Sequence, residues 1–330
     1  MSKKIILITG ANGEMGHSLI NMLNHQGIHN IVAIDLEPPK FNFKITSFIQ
    51  GSVLDNALIN KINESFFIDS VYHLAAILST KAEKNPTLAN DVNINGTMNM
   101  LQLCYRQAKE RNGIIPFFFP SSIAVYNIGD QREIKIKESD NINLPITHYG
   151  IAKLKCEKTG VDMHKASQDF GIDFRSIRFP GIISGTSMPS GGTSDYAPEM
   201  LHYAIRKQTY YCYVNSDRQL PFITMPDAIQ AIFNIMNRDK AQLKQNVYNV
   251  TSFNPKVEDF YKKLVDFFPQ FKLVYKIDKQ RQKIVDSWPN DIDDSCARSD
   301  WQWNPEHDFD LAYHDYLIPN LQKKYNLPIQ

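Results

Sequence analysis

An apolar run, a turn holding three glycines and a second apolar run ending on an acid fill residues 3–36, KKIILITGANGEMGHSLINMLNHQGIHNIVAIDL. That order leaves the chain few folds. Residues 5–9 read as a buried strand, 14–26 as a helix and the run closing at Asp35 as a second strand, which makes a βαβ unit with parallel strands. Gly10, Gly13 and Gly16 follow G-x-x-G-x-x-G, a spacing that permits a tight turn, close approach of backbone to a pyrophosphate and packing of the helix on the sheet. The turn residues Gly10, Asn12, Gly13, Glu14, Met15 and Gly16 are therefore candidates to hold a dinucleotide. Asp35, 19 residues after the last of these glycines, would accept hydrogen bonds from the adenosine ribose and repel a 2′-phosphate, favouring NAD over NADP. A turn-forming aspartate is the plainer alternative.

The alternation continues. Residues 47–53, 71–77 and 114–122 look like further strands, and 88–110 like one long helix, so the expected fold is α/β, a doubly wound parallel sheet of Rossmann type whose ligands lie beyond the carboxyl ends of the strands. The polar run 129–145 reads as a surface excursion. A length of 330 residues suits one large core with a smaller lobe. We expect a cofactor domain over 1–178, rejoined by 222–250, and a C-terminal substrate lobe from 179–221 and 251–330.

Charge narrows the partners. The 36 basic and 35 acidic residues are mixed along the chain, leaving no field to draw in a nucleic acid or an anionic membrane, so a small molecule is the expected partner. Cys104, Cys156, Cys212 and Cys296 lie far apart without metal-ligand spacing, and read as reduced thiols of a cytoplasmic protein that holds no metal. The apolar run at the N-terminus is too short for a signal-peptide core or a membrane span.

Reactive groups cluster in the middle of the chain. Tyr149 and Lys153 are four residues apart and would share a helix face, while Ser122 ends an apolar strand where a parallel sheet presents its ligand. A tyrosine is a poor base at neutral pH, but a nearby ammonium and a cationic nicotinamide ring both favour its phenolate. The trio suits proton transfer coupled to hydride transfer, with Tyr149 as base, Lys153 supporting it and holding a cofactor ribose, and Ser122 positioning the substrate oxygen. His73, on a strand, fits a satisfied core histidine better than a proton shuttle.

TGANGEMG, Asp35, HLAA (73–76), PSSIAVY (120–126), YGIAK (149–153) and RFPGIIS (178–184) occur in the order found in the extended short-chain dehydrogenase/reductases, and the chain resembles that superfamily. The resemblance implies NAD as cofactor, with Leu36, Ser52, Val53, Leu74, Ala75 and Ala76 near its adenine end and Pro180, Ile182 and Ile183 near its carboxamide. Ser52 stands where many members carry an aspartate. The resemblance also implies a homodimer paired through the helices at 88–110 and around Tyr149.

Two stretches look like the short-chain type of L-threonine 3-dehydrogenase: PSGGTSDYA (189–197) and the tail DSWPNDIDDSCARSDWQWNPEHDFDL (286–311), which holds all three tryptophans. That likeness implies oxidation of a β-hydroxy amino acid in a pocket of Ser79, Ser122, Tyr149, Gly192, Thr193 and Trp288, with Trp288 closing over the substrate. Trp301 and Trp303, alternating as on a half-buried strand or turn, fit the core better. Read without the likeness, Ser79 and Thr193 are capping hydroxyls, Gly192 belongs to a flexible loop and Trp288 is a packing anchor. SSIAVY is the form common in nucleotide-sugar epimerases, which use the same Tyr/Lys pair, and Arg218 matches a region where they keep an arginine for phosphate. An epimerase or dehydratase with tightly held NAD is the alternative. For Arg218 itself, a surface ion pair is the competing role.

Overall fold

A computed structural model of the protein describes residues 4–129, 135–140, 143–189 and 191–327. The opening βαβ unit forms as its sequence dictates: β1 (Lys4–Thr9), α1 (Glu14–His25) and β2 (Ile31–Asp35). The chain continues through β3 (Ser47–Gln50), α2 (Asn56–Ser65) and β4 (Phe67–His73) to two short helices, α3 (Ser79–Lys84) and α4 (Pro86–Asn90). After α5 (Gly96–Arg111) come β5 (Ile114–Ser122), α6 (His148–Ala166) and β6 (Gly171–Phe179).

The C-terminal half is made of shorter pieces. These are β7 (Gly181–Ile183), α7 (Tyr196–Ile205), β8 (Tyr210–Cys212), β9 (Phe222–Thr224), α8 (Met225–Asn237) and β10 (Val247–Asn249). Then follow α9 (Val257–Phe267), β11 (Leu273–Tyr275), α10 (Lys279–Asp286) and α11 (Ser295–Trp301).

Seven strands form one parallel sheet in the order β10-β6-β5-β4-β1-β2-β3, the doubly wound architecture expected from the alternation. The period of two along each strand sends neighbouring side chains to opposite cores. Ile5, Leu7, Phe117 and Phe119 pack on one face, Ile8 and Phe118 on the other. The second face continues into the C-terminal lobe as one cluster that includes Trp288, Trp301 and Trp303. No helix among the described residues is long and apolar enough to cross a membrane.

Three local details depart from expectation. The helix at 88–110 is interrupted by a π-helical turn, Asp91–Asn95, which points the buried Asn93 amide at the chain below it. There Asn93 accepts from the Ile77 N–H (2.7 Å) and donates to the Ile77 carbonyl (3.0 Å), fixing the segment that leaves β4.

The excursion at 129–145 is only partly superficial, in so far as it lies within the described residues; 130–134 and 141–142 fall outside them. Ile136 is buried and bridges Ile292 of the tail, its carbonyl accepting from the Asp293 N–H at 2.7 Å. Trp301 and Trp303 are core residues as expected, but on a helix end: Trp301 closes α11, Gln302 turns the chain at φ 59°, and Trp303 donates its indole N–H to Asp294 at 3.1 Å.

Candidate active site

The carboxyl ends of β1, β4 and β5 open into a cavity of about 860 Å3. At its base Gly10 adopts φ +70°, and a Cβ there would lie 2.7 Å from the Ala75 backbone nitrogen, so the turn closes only with glycine. Gly10, Asn12, Gly13, Glu14, Met15 and Gly16 all line the cavity, as do Leu74 and Ala76 from the end of β4 and Pro180 and Ile182 beyond β6. The other residues expected at the cofactor's adenine and carboxamide ends, Asp35 among them, are not part of this lining. Ala75 packs under the glycine turn, and Ile183 is buried in the core. Leu36 is exposed, while Val53 is buried with its carbonyl accepting from the Asn99 amide at 3.0 Å. Ser52 caps its own turn through the Leu54 N–H.

Asp35 sits at the end of β2, where its carboxylate accepts from the Asn12 N–H at 2.9 Å and the Glu37 N–H at 3.4 Å. An acid tied to the glycine turn in this way stays the candidate for the ribose contact. Free NAD should therefore bind at least about tenfold tighter than NADP, a difference of about 1.4 kcal/mol. Equal dissociation constants in parallel titrations would show that Asp35 does not face the ribose.

Ser122, Tyr149 and Lys153, from the end of β5 and the first turns of α6, line the same cavity. Their placement has local causes. Ser122 accepts from the Ala124 N–H at 3.1 Å, capping the turn after its strand. Thr147 caps α6 through the Gly150 N–H at 3.0 Å, and Gly150 packs so tightly that a Cβ would lie 2.9 Å from Pro145 Cβ. One helical turn on, Lys153 is buried, donates to the Pro120 carbonyl at 2.6 Å, and lies 5.6 Å from the Tyr149 ring centroid.

Burial dominates the electrostatics here. It lowers the Lys153 ammonium to about 8, against the opposing pull of Cys156 and Glu157. It also pushes the Tyr149 phenol well above its ordinary value, the reverse of what a neighbouring ammonium alone would do. Desolvation therefore sets the direction for Tyr149.

The expected substrate residues converge. Ser79 and Thr193, 114 residues apart, are both buried, and the Thr193 hydroxyl and backbone N–H donate to Ser79 Oγ at 3.1 and 3.2 Å. Gly192 and Trp288 line the cavity with them. Within the segment 189–197, residue 190 lies outside the described residues. The sequence reading missed the groups that hold this loop. Asp195 accepts from the Gly191 and Gly192 N–H groups at 2.8 and 2.6 Å, Arg281 donates to the Gly192 carbonyl at 3.2 Å, and Tyr213 donates to the Thr193 carbonyl at 3.2 Å. The aspartate three residues after the glycine pair was the available signal.

His73 is the satisfied core histidine expected from its strand: one ring nitrogen meets Thr9 Oγ1 at 2.7 Å and the other Thr97 Oγ1 at 3.0 Å. Burial, helped by the Lys153 charge, lowers it to about 3. The unfolded chain takes up this proton first, so the contribution of His73 to stability is complete above pH 6.5 and is lost as pH falls from there towards 3. Denaturant titrations should show the wild type losing up to about 1.4 kcal/mol per pH unit more than His73→Asn across that window. Parallel losses in the two proteins would contradict this assignment.

Residues 6–251 match the NAD dependent epimerase/dehydratase family. An uncharacterized epimerase/dehydratase of Staphylococcus saprophyticus is 36% identical over 309 residues, which cover 92% of this chain and 93% of that one. Among solved structures, a monomeric L-threonine 3-dehydrogenase from a metagenome is 37% identical with a TM-score of 0.85, over 97% of this chain and 99% of its own. The L-threonine dehydrogenase of Phytophthora infestans is 34% identical with a TM-score of 0.85, over 97% and 100%.

Proposed function

The chain belongs to the NAD-dependent epimerase/dehydratase family, and from that premise we propose that it oxidises the β-hydroxyl of L-threonine to give 2-amino-3-ketobutyrate. Its cofactor is NAD, and the glycine turn, whose Gly10 leaves no space for a Cβ, fits that dinucleotide. The observation that carries the substrate reading is the joining of Ser79, Thr193 and Trp288 to Tyr149 around one cavity, in a chain similar end to end to solved L-threonine dehydrogenases.

In this reading Ser122 orients the substrate hydroxyl and Tyr149 Oη accepts its proton. Lys153, as the ammonium below about pH 8, opposes the desolvation that disfavours the phenolate. When bound, NAD supplies the hydride acceptor and a cationic ring. Ser79, Thr193 and the loop held by Asp195 and Arg281 hold the amino acid's polar end, and Trp288 excludes water over it. Weighing against a nucleotide-sugar epimerase is Arg218, which is buried outside the cavity lining, so it is neither a surface pair nor offered to a diphosphate. A screen of hydroxy acids, amino acids and nucleotide sugars, followed by absorbance of reduced nicotinamide, should single out L-threonine. Reduction with another class only would overturn the proposal.

The same reading divides the chain into a cofactor domain of 1–178 with 222–250 and a substrate lobe of 179–221 and 251–330. The pairing of β10 beside β6 supports that division. It also pairs two copies through the helices at 88–110 and around Tyr149, where Leu88 and Ile151 are 47% and 48% exposed. Light scattering at micromolar concentration should give a dimeric mass. A strict monomer, as the metagenomic relative is described, would remove the pairing.

A further inference from the structure

Arg218 lies between β8 and β9, is 4% exposed and does not line the cavity. Its backbone is fixed at the start of α9, where the Val257 N–H donates to its carbonyl at 3.0 Å. The guanidinium reaches the tail. Nε and Nη2 donate to the Val285 carbonyl at 3.2 and 2.9 Å, Nη2 to the Trp288 carbonyl at 2.5 Å, and Nη1 to the Asn290 side chain. Asp286 Oδ1 lies 3.6 Å from Nε.

These acceptors share a logic. The Val285 carbonyl belongs to the last turn of α10, where a cation is favoured, and it accepts from the Trp288 N–H at 3.1 Å as well as from Arg218. The Trp288 carbonyl and Asn290 flank Pro289, in a stretch without regular structure of its own. One planar fork therefore holds the backbone before and at Trp288 and a side chain after it, and Trp288, 5% exposed, lines the cavity. A lysine would keep the charge but has no fork with which to span three acceptors.

We propose that Arg218 is a positioning residue: by gripping the chain on both sides of Trp288 it sets the indole in the substrate cavity, and so governs small-substrate binding while leaving the dinucleotide untouched. For its kinetic part this rests on the L-threonine reading. The placement of Trp288 does not.

The test separates the two. Protein labelled with 5-fluorotryptophan should give three fluorine resonances, one for each of Trp288, Trp301 and Trp303, assigned with Trp288→Phe. In Arg218→Lys the Trp288 resonance should move or broaden while the other two stay, and NADH affinity by fluorescence titration should remain within about twofold. If L-threonine is turned over, its KM should rise about tenfold or more, with a smaller fall in kcat, since a misplaced contact costs more than its own bond. Should Arg218→Lys fail to fold, Asn290→Ala removes one grip without stranding a buried charge, and the same selective shift is expected. Three unchanged resonances, three equally disturbed ones, or a loss of NADH affinity would each overturn the positioning role. Absent turnover of L-threonine by the wild type would instead defeat the substrate reading, and the fluorine spectra would still decide the role of Arg218.

Discussion

Tyr149→Phe should lower turnover by on the order of 10² to 10⁴ while leaving NADH affinity within a few-fold. The substitution removes only Oη. The ring remains, with its packing at the start of α6 and its place 5.6 Å from the Lys153 ammonium. Stopped assays at saturating NAD, beside a fluorescence titration of NADH, measure the two quantities. Near-normal turnover in the Phe variant would remove Tyr149 from proton transfer, and the mechanism with it.

The second large effect is one of stability. Trp303→Ala should cost about 3 to 5 kcal/mol, the usual range for truncating a large aromatic in a core. Trp303 is 2% exposed, packs 5.7 Å from the Trp301 ring and donates to Asp294, which also takes two hydrogen bonds from Arg298 at 2.9 and 3.0 Å. Any folded fraction should keep its KM. Trp288→Ala should differ in raising KM and lowering kcat with NADH affinity unchanged, because Trp288, though in the same core cluster, also lines the cavity. Denaturation curves and kinetics on the two variants side by side make the comparison. A stability loss in Trp288→Ala without a change in KM would make the whole tail scaffold.

What could be read before folding was what depends on local pattern. The glycine spacing with Asp35, and the alternation of strands and helices, determine the parallel sheet because each rests on short-range geometry. Tyr149 and Lys153 share a face through helical spacing, and the strand ending at Ser122 brings that hydroxyl to the same end of the sheet. What stayed hidden depends on partners far away in the chain. Asn93 bends a helix to serve Ile77, Ile136 leaves a polar run to pair with the tail, and Arg218 turns from the position of a phosphate ligand to three acceptors about 70 residues later. The desolvation that reverses the expected shift of Tyr149 is equally invisible, since burial is a property of the assembled cavity.

Net oxidation of a small amino acid is measured by incubating the purified wild type with NAD and L-threonine and following reduced nicotinamide against substrate consumed. One NADH should form per L-threonine consumed, with continuous turnover of free NAD and no such turnover in Tyr149→Phe. No reduction with L-threonine, together with interconversion of a nucleotide sugar and no net NADH, would contradict it.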